Sequence, residues 1–300
     1  MTVPFIGPEI EPRLDWLSLT GALAAGHDRP KAEVGDTFLY RGGDTMLSRA
    51  AWIDGLGVLV KTATIFPENR DAPPINGAVS LFGDGDGCLR AMLDFHLVTK
   101  WKTAGDSLLA ARRLARPDSR RILLVGSGTV AASLRAAYAA AFPEARFAVW
   151  SRKADNAARF AKAHGAEAVT DLAAAVAGAD IVGCATMTTD PVLHGEWLSP
   201  GTHVDLIGAY RPDMREADDD ALRRATIFVD SRDTTLDHIG ELKDPLARGV
   251  MAHEDVAADF YDLDRFRRRD DDEITLCKNG GGAHLDLMTA DWMMTSADQP

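Results

Sequence analysis

Residues 121–153 read RRILLVGSGTVAASLRAAYAAAFPEARFAVWSRK. An apolar run, Ile122–Val125, enters Gly126-Ser127-Gly128-Thr129-Val130-Ala131. An alanine-rich helical segment follows, and then a second apolar run, Phe147–Trp150. Strand, glycine turn, helix and strand in this order form the dinucleotide-binding fingerprint in its G-x-G-x-x-A version. Gly126 serves the tight turn, Gly128 lets backbone approach a pyrophosphate, and Ala131 lets the helix pack closely on the strand. The helix N-terminus then offers unsatisfied N–H groups to phosphate, so Gly126 to Val130 are the expected phosphate contacts.

The second strand carries information about which dinucleotide. In NAD binders it usually ends in a carboxylate that accepts from the ribose 2′-hydroxyl. Here it ends Trp150-Ser151-Arg152-Lys153, a serine and two cations. That set suits a 2′-phosphate, and the expectation is NADP. NAD stays possible, because Asp155 is near enough to contact ribose.

Three hundred residues give room for one or two domains and a sizeable core. A formal net charge of −12 argues against nucleic acid or an anionic membrane surface as partner. No run of 18 apolar residues predicts a transmembrane helix. The N-terminus, MTVPFIGPEIEPRLDW, lacks a basic region followed by an apolar one, so no signal peptide is expected. Cys88, Cys184 and Cys277 are scattered and lack metal spacing, which fits reduced thiols in the cytoplasm. The histidines form no H-x-x-x-H pair, and no metal site is expected.

Before the fingerprint the pattern is strand-like, at Thr37–Arg41, Thr45–Trp52, Gly57–Ile65, Ala78–Phe82 and Leu89–Asp94. Glycine turns at 42–43, 54–55 and 84–87 separate several of these runs and predict a mainly antiparallel sheet. A short helix precedes them near Leu17–Ala25, and a helix from Thr103 to Ala115 follows, with Asp106 as a capping-box residue. After the fingerprint, strands and helices alternate to about residue 230, which predicts a doubly wound parallel sheet. The segment 233–249 reads as one solvated helix, and the highly charged 255–272 as a solvated helix or loop. Residues 274–290 return to an apolar strand, a glycine loop and the start of a helix. The fold class is α/β: a Rossmann sheet plus an α+β domain for substrate and dimerisation. The expected division is 1–104 with 276–300 against 105–275.

Several stretches, in this order, resemble the ornithine cyclodeaminase/μ-crystallin family. They are Val60-Lys61-Thr62 with Phe66-Pro-Glu-Asn69, Leu97-Val-Thr-Lys-Trp-Lys-Thr-Ala104, and Cys184-Ala-Thr186 with Asp190-Pro-Val192. Gly208-Ala-Tyr-Arg-Pro-Asp-Met-Arg-Glu216 and Lys278-Asn-Gly-Gly-Gly-Ala-His-Leu-Asp-Leu287 complete the set. The resemblance implies an NAD(P)-dependent homodimer acting on a small imino or amino acid, although some members only bind ligands. It implies Lys61 as the active-site lysine, Thr186 at the nicotinamide end, and Gly208 in the cofactor-facing turn.

Three positions, Lys102, Asp106 and Tyr210, depart from the family pattern. Lys102 stands where an arginine usually clamps the substrate carboxylate; lysine is a point charge and cannot reproduce a bidentate fork. Asp106, Arg49 and Arg41 are the candidates to assist it. Tyr210 stands where cyclodeaminases carry a catalytic aspartate, and a phenol with an ordinary pKa of about 10 cannot be the same base at neutral pH. His284, in the returning glycine loop, is a candidate acid. The expectation is an NAD(P)H-dependent reductase of α-imino acids. A cyclodeaminase with recycled cofactor and a non-catalytic crystallin-like binder are the alternatives.

Overall fold

The computed structural model describes residues 3–297. It divides into two compact units, one running up to Gly105 and resuming at Gly282, the other spanning Asp106–Gly281. The elements of the first unit are β1 (Phe5–Ile6), α1 (Trp16–His27), β2 (Glu33–Arg41), β3 (Asp44–Ile53), β4 (Gly57–Ile65), β5 (Ile75–Phe82) and β6 (Leu89–Asp94). Helix α2 (Phe95–Leu114) follows, and the division falls within it. The second unit contains β7 (Arg121–Val125), α3 (Thr129–Ala141), β8 (Arg146–Trp150), α4 (Ala154–His164), β9 (Glu167–Ala168), α5 (Leu172–Ala177) and β10 (Ile181–Cys184). It continues through β11 (His203–Leu206), α6 (Asp219–Arg224), β12 (Thr226–Val229), α7 (Arg232–Thr235), α8 (Gly240–Ala247), β13 (Val256–Ala258) and β14 (Thr275–Lys278). Helix α9 (Ala283–Ala297) returns to the first unit.

In the first unit the sheet order is β1-β6-β5-β4-β3-β2, antiparallel except where β1 lies parallel to β6. Side chains alternate across a strand. Gly57, Leu59, Lys61 and Ala63 therefore share the buried face of β4, and Ala51 and Ile53 the matching face of β3. Helix α9 covers this face. It is buried on nearly every side from Ala283 to Met293, as an apolar helix inside a core must be.

The second unit is an all-parallel sheet, ordered β13-β12-β14-β11-β10-β7-β8-β9. The order in which successive strands are added reverses between β7 and β10. That is the switch point where doubly wound sheets open a crevice for ligand at their strand carboxyl ends.

Several expectations are corrected. Helix α2 begins at Phe95, not Thr103, because the Asp94 carboxylate accepts from Leu97 N at 2.7 Å and caps it. Asp106 thus lies mid-helix and is not its cap. The segment 233–249 is two short helices around buried Leu236, Ile239 and Leu242, not one solvated helix. The charged stretch 255–272 contains edge strand β13 and buries Phe260 and Phe266. The return to the first unit comes at Gly282, not 276, because β14 is an interior strand of the parallel sheet between β11 and β12.

Candidate active site

In the first unit a row of charge crosses three strands. Asp36, Arg49 and Lys61 are directly opposed in register on β2, β3 and β4. Arg49 donates to Asp36 Oδ2 at 2.8 Å. Lys61 is 7 % exposed, and its ammonium donates to Asp286 Oδ1 at 2.8 Å, from α9. The same ammonium lies 4.9 Å from the centre of the Phe95 ring. Asp286 is fully buried, and Lys102, on α2, is nearly so.

Electrostatics follow from this crowding. Burial, above all, lowers the Lys61 pKa, and the charges of Lys102 and Arg49 lower it further against the pull of Asp286. Burial would raise the Asp286 carboxyl, but Lys61, Lys102 and Arg49 outweigh it and hold the group below its ordinary value. Burial opposes the charge on Arg49 too, and the Asp36 hydrogen bond with the Asp286 and Asp36 charges overcomes it. Three cations thus act on one buried carboxylate. An ammonium has three donors. Among the described residues Lys61 uses one of them on a protein acceptor, so the cluster has capacity for an added anion.

In the second unit the glycine turn is shaped as a phosphate cradle. Gly126 takes φ +114°, closed to ordinary side chains, and a Cβ there would meet Ala185 O at 2.6 Å. Gly128 precedes the first residue of α3, where no side chain caps the helix and a Cβ would point into open space. The N–H groups opening α3 are thus left without a side-chain cap. Gly208 admits no side chain, since a Cβ would lie 2.0 Å from Thr186 O. A cavity of about 280 Å³ runs between Gly126, Trp150, Ser151, Arg152, Thr186 and Met187. The Ser127 hydroxyl donates to the hydroxyl of Ser151, one of the lining residues, at 3.1 Å. Arg152 and Lys153 are exposed just beyond β8, where no carboxylate stands. These residues fit a dinucleotide.

The remaining candidates separate. Arg41 is at the tip of the β2–β3 hairpin, its side chain 80 % exposed and paired with Asp44 at 2.9 Å. It stands away from the row that contains Arg49 and does not join the cluster. Asp106 is buried in α2 and accepts from Asn279 Nδ2 at 2.8 Å. Tyr210 is exposed after β11, its ring beside the Arg211 guanidinium. His284 belongs to the first turn of α9 and not to a loop; it is buried, with its ring edge-on to His27 at 5.4 Å. His203 and Asp205 are core groups: Asp205 accepts from Tyr138 Oη at 2.5 Å, and His203 Nδ1 meets Thr275 Oγ1 at 2.9 Å.

Asp286 is the residue that reading the sequence missed. It comes 225 residues after Lys61, inside an apolar helix. An aspartate flanked by Leu285 and Leu287 was the available signal, because a buried carboxylate requires a partner.

The family model described as ornithine cyclodeaminase/mu-crystallin matches residues 51–299. The Delta(1)-pyrroline-2-carboxylate reductase of Paracoccus denitrificans is 52% identical over 292 residues, 94% of this chain and 92% of that protein. The chain belongs to the ornithine cyclodeaminase/mu-crystallin family. Mouse ketimine reductase mu-crystallin is a more distant member, 35% identical over 74% of this chain and 70% of its own length. The fold extends to Thermococcus litoralis Delta(1)-pyrroline-2-carboxylate reductase, solved with NADH and L-proline. That structure superposes with a TM-score of 0.89 at 24% identity, over 98% of this chain and 97% of the other.

Proposed function

We propose that this family member is an NADPH-dependent reductase of α-imino acids, with a five-membered cyclic imine carboxylate as substrate and proline as product. The observation that carries the reading is the buried Lys61–Asp286 pair with Lys102 and Arg49 acting on it, a site with an excess of positive charge. The reductases among its relatives, the Paracoccus protein above all, support the same chemistry. When bound, the reduced dinucleotide supplies the hydride that adds to the C=N carbon, and one proton adds to nitrogen, leaving a CH–NH amine and oxidised dinucleotide. Lys61 and Lys102 hold the carboxylate, with Arg49 contributing field. The lowered pKa of Lys61 also suits it to give the proton to nitrogen. His284, packed against His27, is less suited to that role.

The absence of a carboxylate after β8 favours NADPH over NADH. A charge-assisted contact from Arg152 to the 2′-phosphate is worth about ten-fold or more in affinity. The reading includes a homodimer in the cytoplasm. Edge strand β2 exposes Val34, Phe38 and Tyr40 on one face, an apolar strip that a second copy of this chain would cover. Among the described residues no helix is long and apolar enough to cross a membrane.

The test is stoichiometry. Δ1-pyrroline-2-carboxylate should consume one NADPH per proline formed, with NADH less efficient, and Arg152→Ala should erase the preference. Ornithine converted to proline with release of ammonia and no net cofactor consumption would instead identify a cyclodeaminase.

A further inference from the structure

The stretch Gly208–Glu216 ends in a glutamate that the reaction above does not use. Glu216 is fully buried in the second unit. Its Oε1 accepts from the backbone N of Thr186 at 2.7 Å and from the Thr186 hydroxyl at 2.8 Å. Its Oε2 accepts from Gly208 N at 2.7 Å and Ala209 N at 3.3 Å. One carboxylate thus ties the turn after β10 to the turn after β11, at the carboxyl ends of adjacent parallel strands. A second buried carboxylate, Glu241 on α8, fixes the backbone of Glu216 itself. It accepts from Glu216 N at 2.7 Å and Ala217 N at 3.0 Å. Lys278, buried at the end of β14, supplies the counter-charge.

We propose that Glu216 is a positioning residue for the dinucleotide: it sets the separation of the Thr186 and Gly208 turns, and so shapes the nicotinamide end of the site. The proposal rests on the dinucleotide reading above. Three of the four groups facing the Glu216 oxygens are backbone N–H donors, which cannot accept a proton's hydrogen bond. The clamp therefore needs the ionised carboxylate. Burial, first, and the Glu241 charge push Glu216 up to about 7, against the opposing effects of Lys278 and the Thr186 hydrogen bonds. Cys184, on β10, and Arg215 also act on this pair. A proton taken up near pH 7 loosens the clamp.

The experiment compares NADPH with 2′,5′-ADP, which reports the adenosine end at Ser151–Lys153 and the phosphate at the glycine turn but lacks the nicotinamide, by binding titrations from pH 6 to 8.5. For the unaltered protein, NADPH affinity should rise as pH passes through about 7, and 2′,5′-ADP affinity should not follow that rise. Glu216→Gln keeps the size but turns an amide N–H₂ toward donors. It should weaken NADPH by about ten-fold or more at pH 8.5, flatten the pH dependence, and leave 2′,5′-ADP binding within about two-fold. Glu241→Gln removes the charge that raises Glu216 and should move the inflection to lower pH. Unchanged NADPH binding by Glu216→Gln would overturn the proposal. So would parallel loss of both ligands, the sign of a general structural role. If the unaltered protein binds neither ligand, it is the dinucleotide reading that fails.

Discussion

Lys61 and Lys278 are both buried lysines on strands, one in each unit, and they are used in opposite ways. Lys278 donates to two carbonyl oxygens, Leu206 O at 2.8 Å and Asn279 O at 2.9 Å. It sits among two buried glutamates, whose oxygens are engaged by backbone N–H groups. That cluster has an excess of negative charge, and the protein's own donors consume it. Lys61 meets one carboxylate, while Lys102 and Arg49 add positive charge around the pair. There the excess is positive, and among the described residues the three cations share one fully buried carboxylate. The sign of the excess, and whether the backbone satisfies it, separates a cluster that fixes loops from one prepared for an anionic ligand.

The most damaging way to disturb the comparison is Lys61→Met. Catalytic efficiency should fall at least about 100-fold, since a charge-assisted contact and a proton donor are lost together. Removing one partner of a buried ion pair also costs about 3–5 kcal/mol, so thermal stability should drop as well. The double variant Lys61→Met/Asp286→Asn should recover much of that stability and none of the activity. Recovery of both would show that Lys61 is only a structural partner of Asp286. Asp286→Asn alone sharpens the electrostatic side. The carboxylate raises the Lys61 pKa, so its removal lowers that pKa further. The alkaline limb of the kcat/KM profile, where ammonium is lost, should move to lower pH. A limb that stays in place, or moves to higher pH, would count against Lys61 as the titrating group.

Smaller effects separate the other cations. Lys102→Ala should lower kcat/KM about ten-fold, mostly through KM, if it holds carboxylate. Arg41→Ala should leave kinetics within about two-fold, because an exposed pair such as Arg41–Asp44 is worth little and lies at a hairpin tip. A large kinetic loss for Arg41→Ala would mean that the row through Arg49 does not bound the site.

The sequence disclosed these two clusters unequally. The cofactor half was readable because a glycine turn between an apolar strand and a helix is a local pattern, complete within residues 121–153. Lys61 was readable through the apolar run before it and its family match. Its partner was not, since Asp286 comes from a helix so uniformly apolar that no amphipathic face marks its orientation. The start of α2 was hidden for a different reason: Asp94 ends a strand and caps a helix at once, so the strand pattern masked the cap. The negative cluster was invisible because Glu216, Glu241 and Lys278 are joined only by the folded sheet. Glu216 carried no sign in the sequence that distinguishes a buried clamp from a surface acid.

In the proposed function the positive cluster holds a substrate carboxylate. The most direct measurement sets kcat/KM for Δ1-pyrroline-2-carboxylate against that for 2-methyl-1-pyrroline, a cyclic imine with the same C=N bond and no carboxylate. It is made with the unaltered enzyme and with Lys102→Ala. The unaltered enzyme should prefer the carboxylate by at least about 100-fold, as expected for two or more charge-assisted contacts, and the preference should shrink about ten-fold in the variant. Equal turnover of both imines by the unaltered enzyme, or a preference that Lys102→Ala leaves untouched, would contradict it.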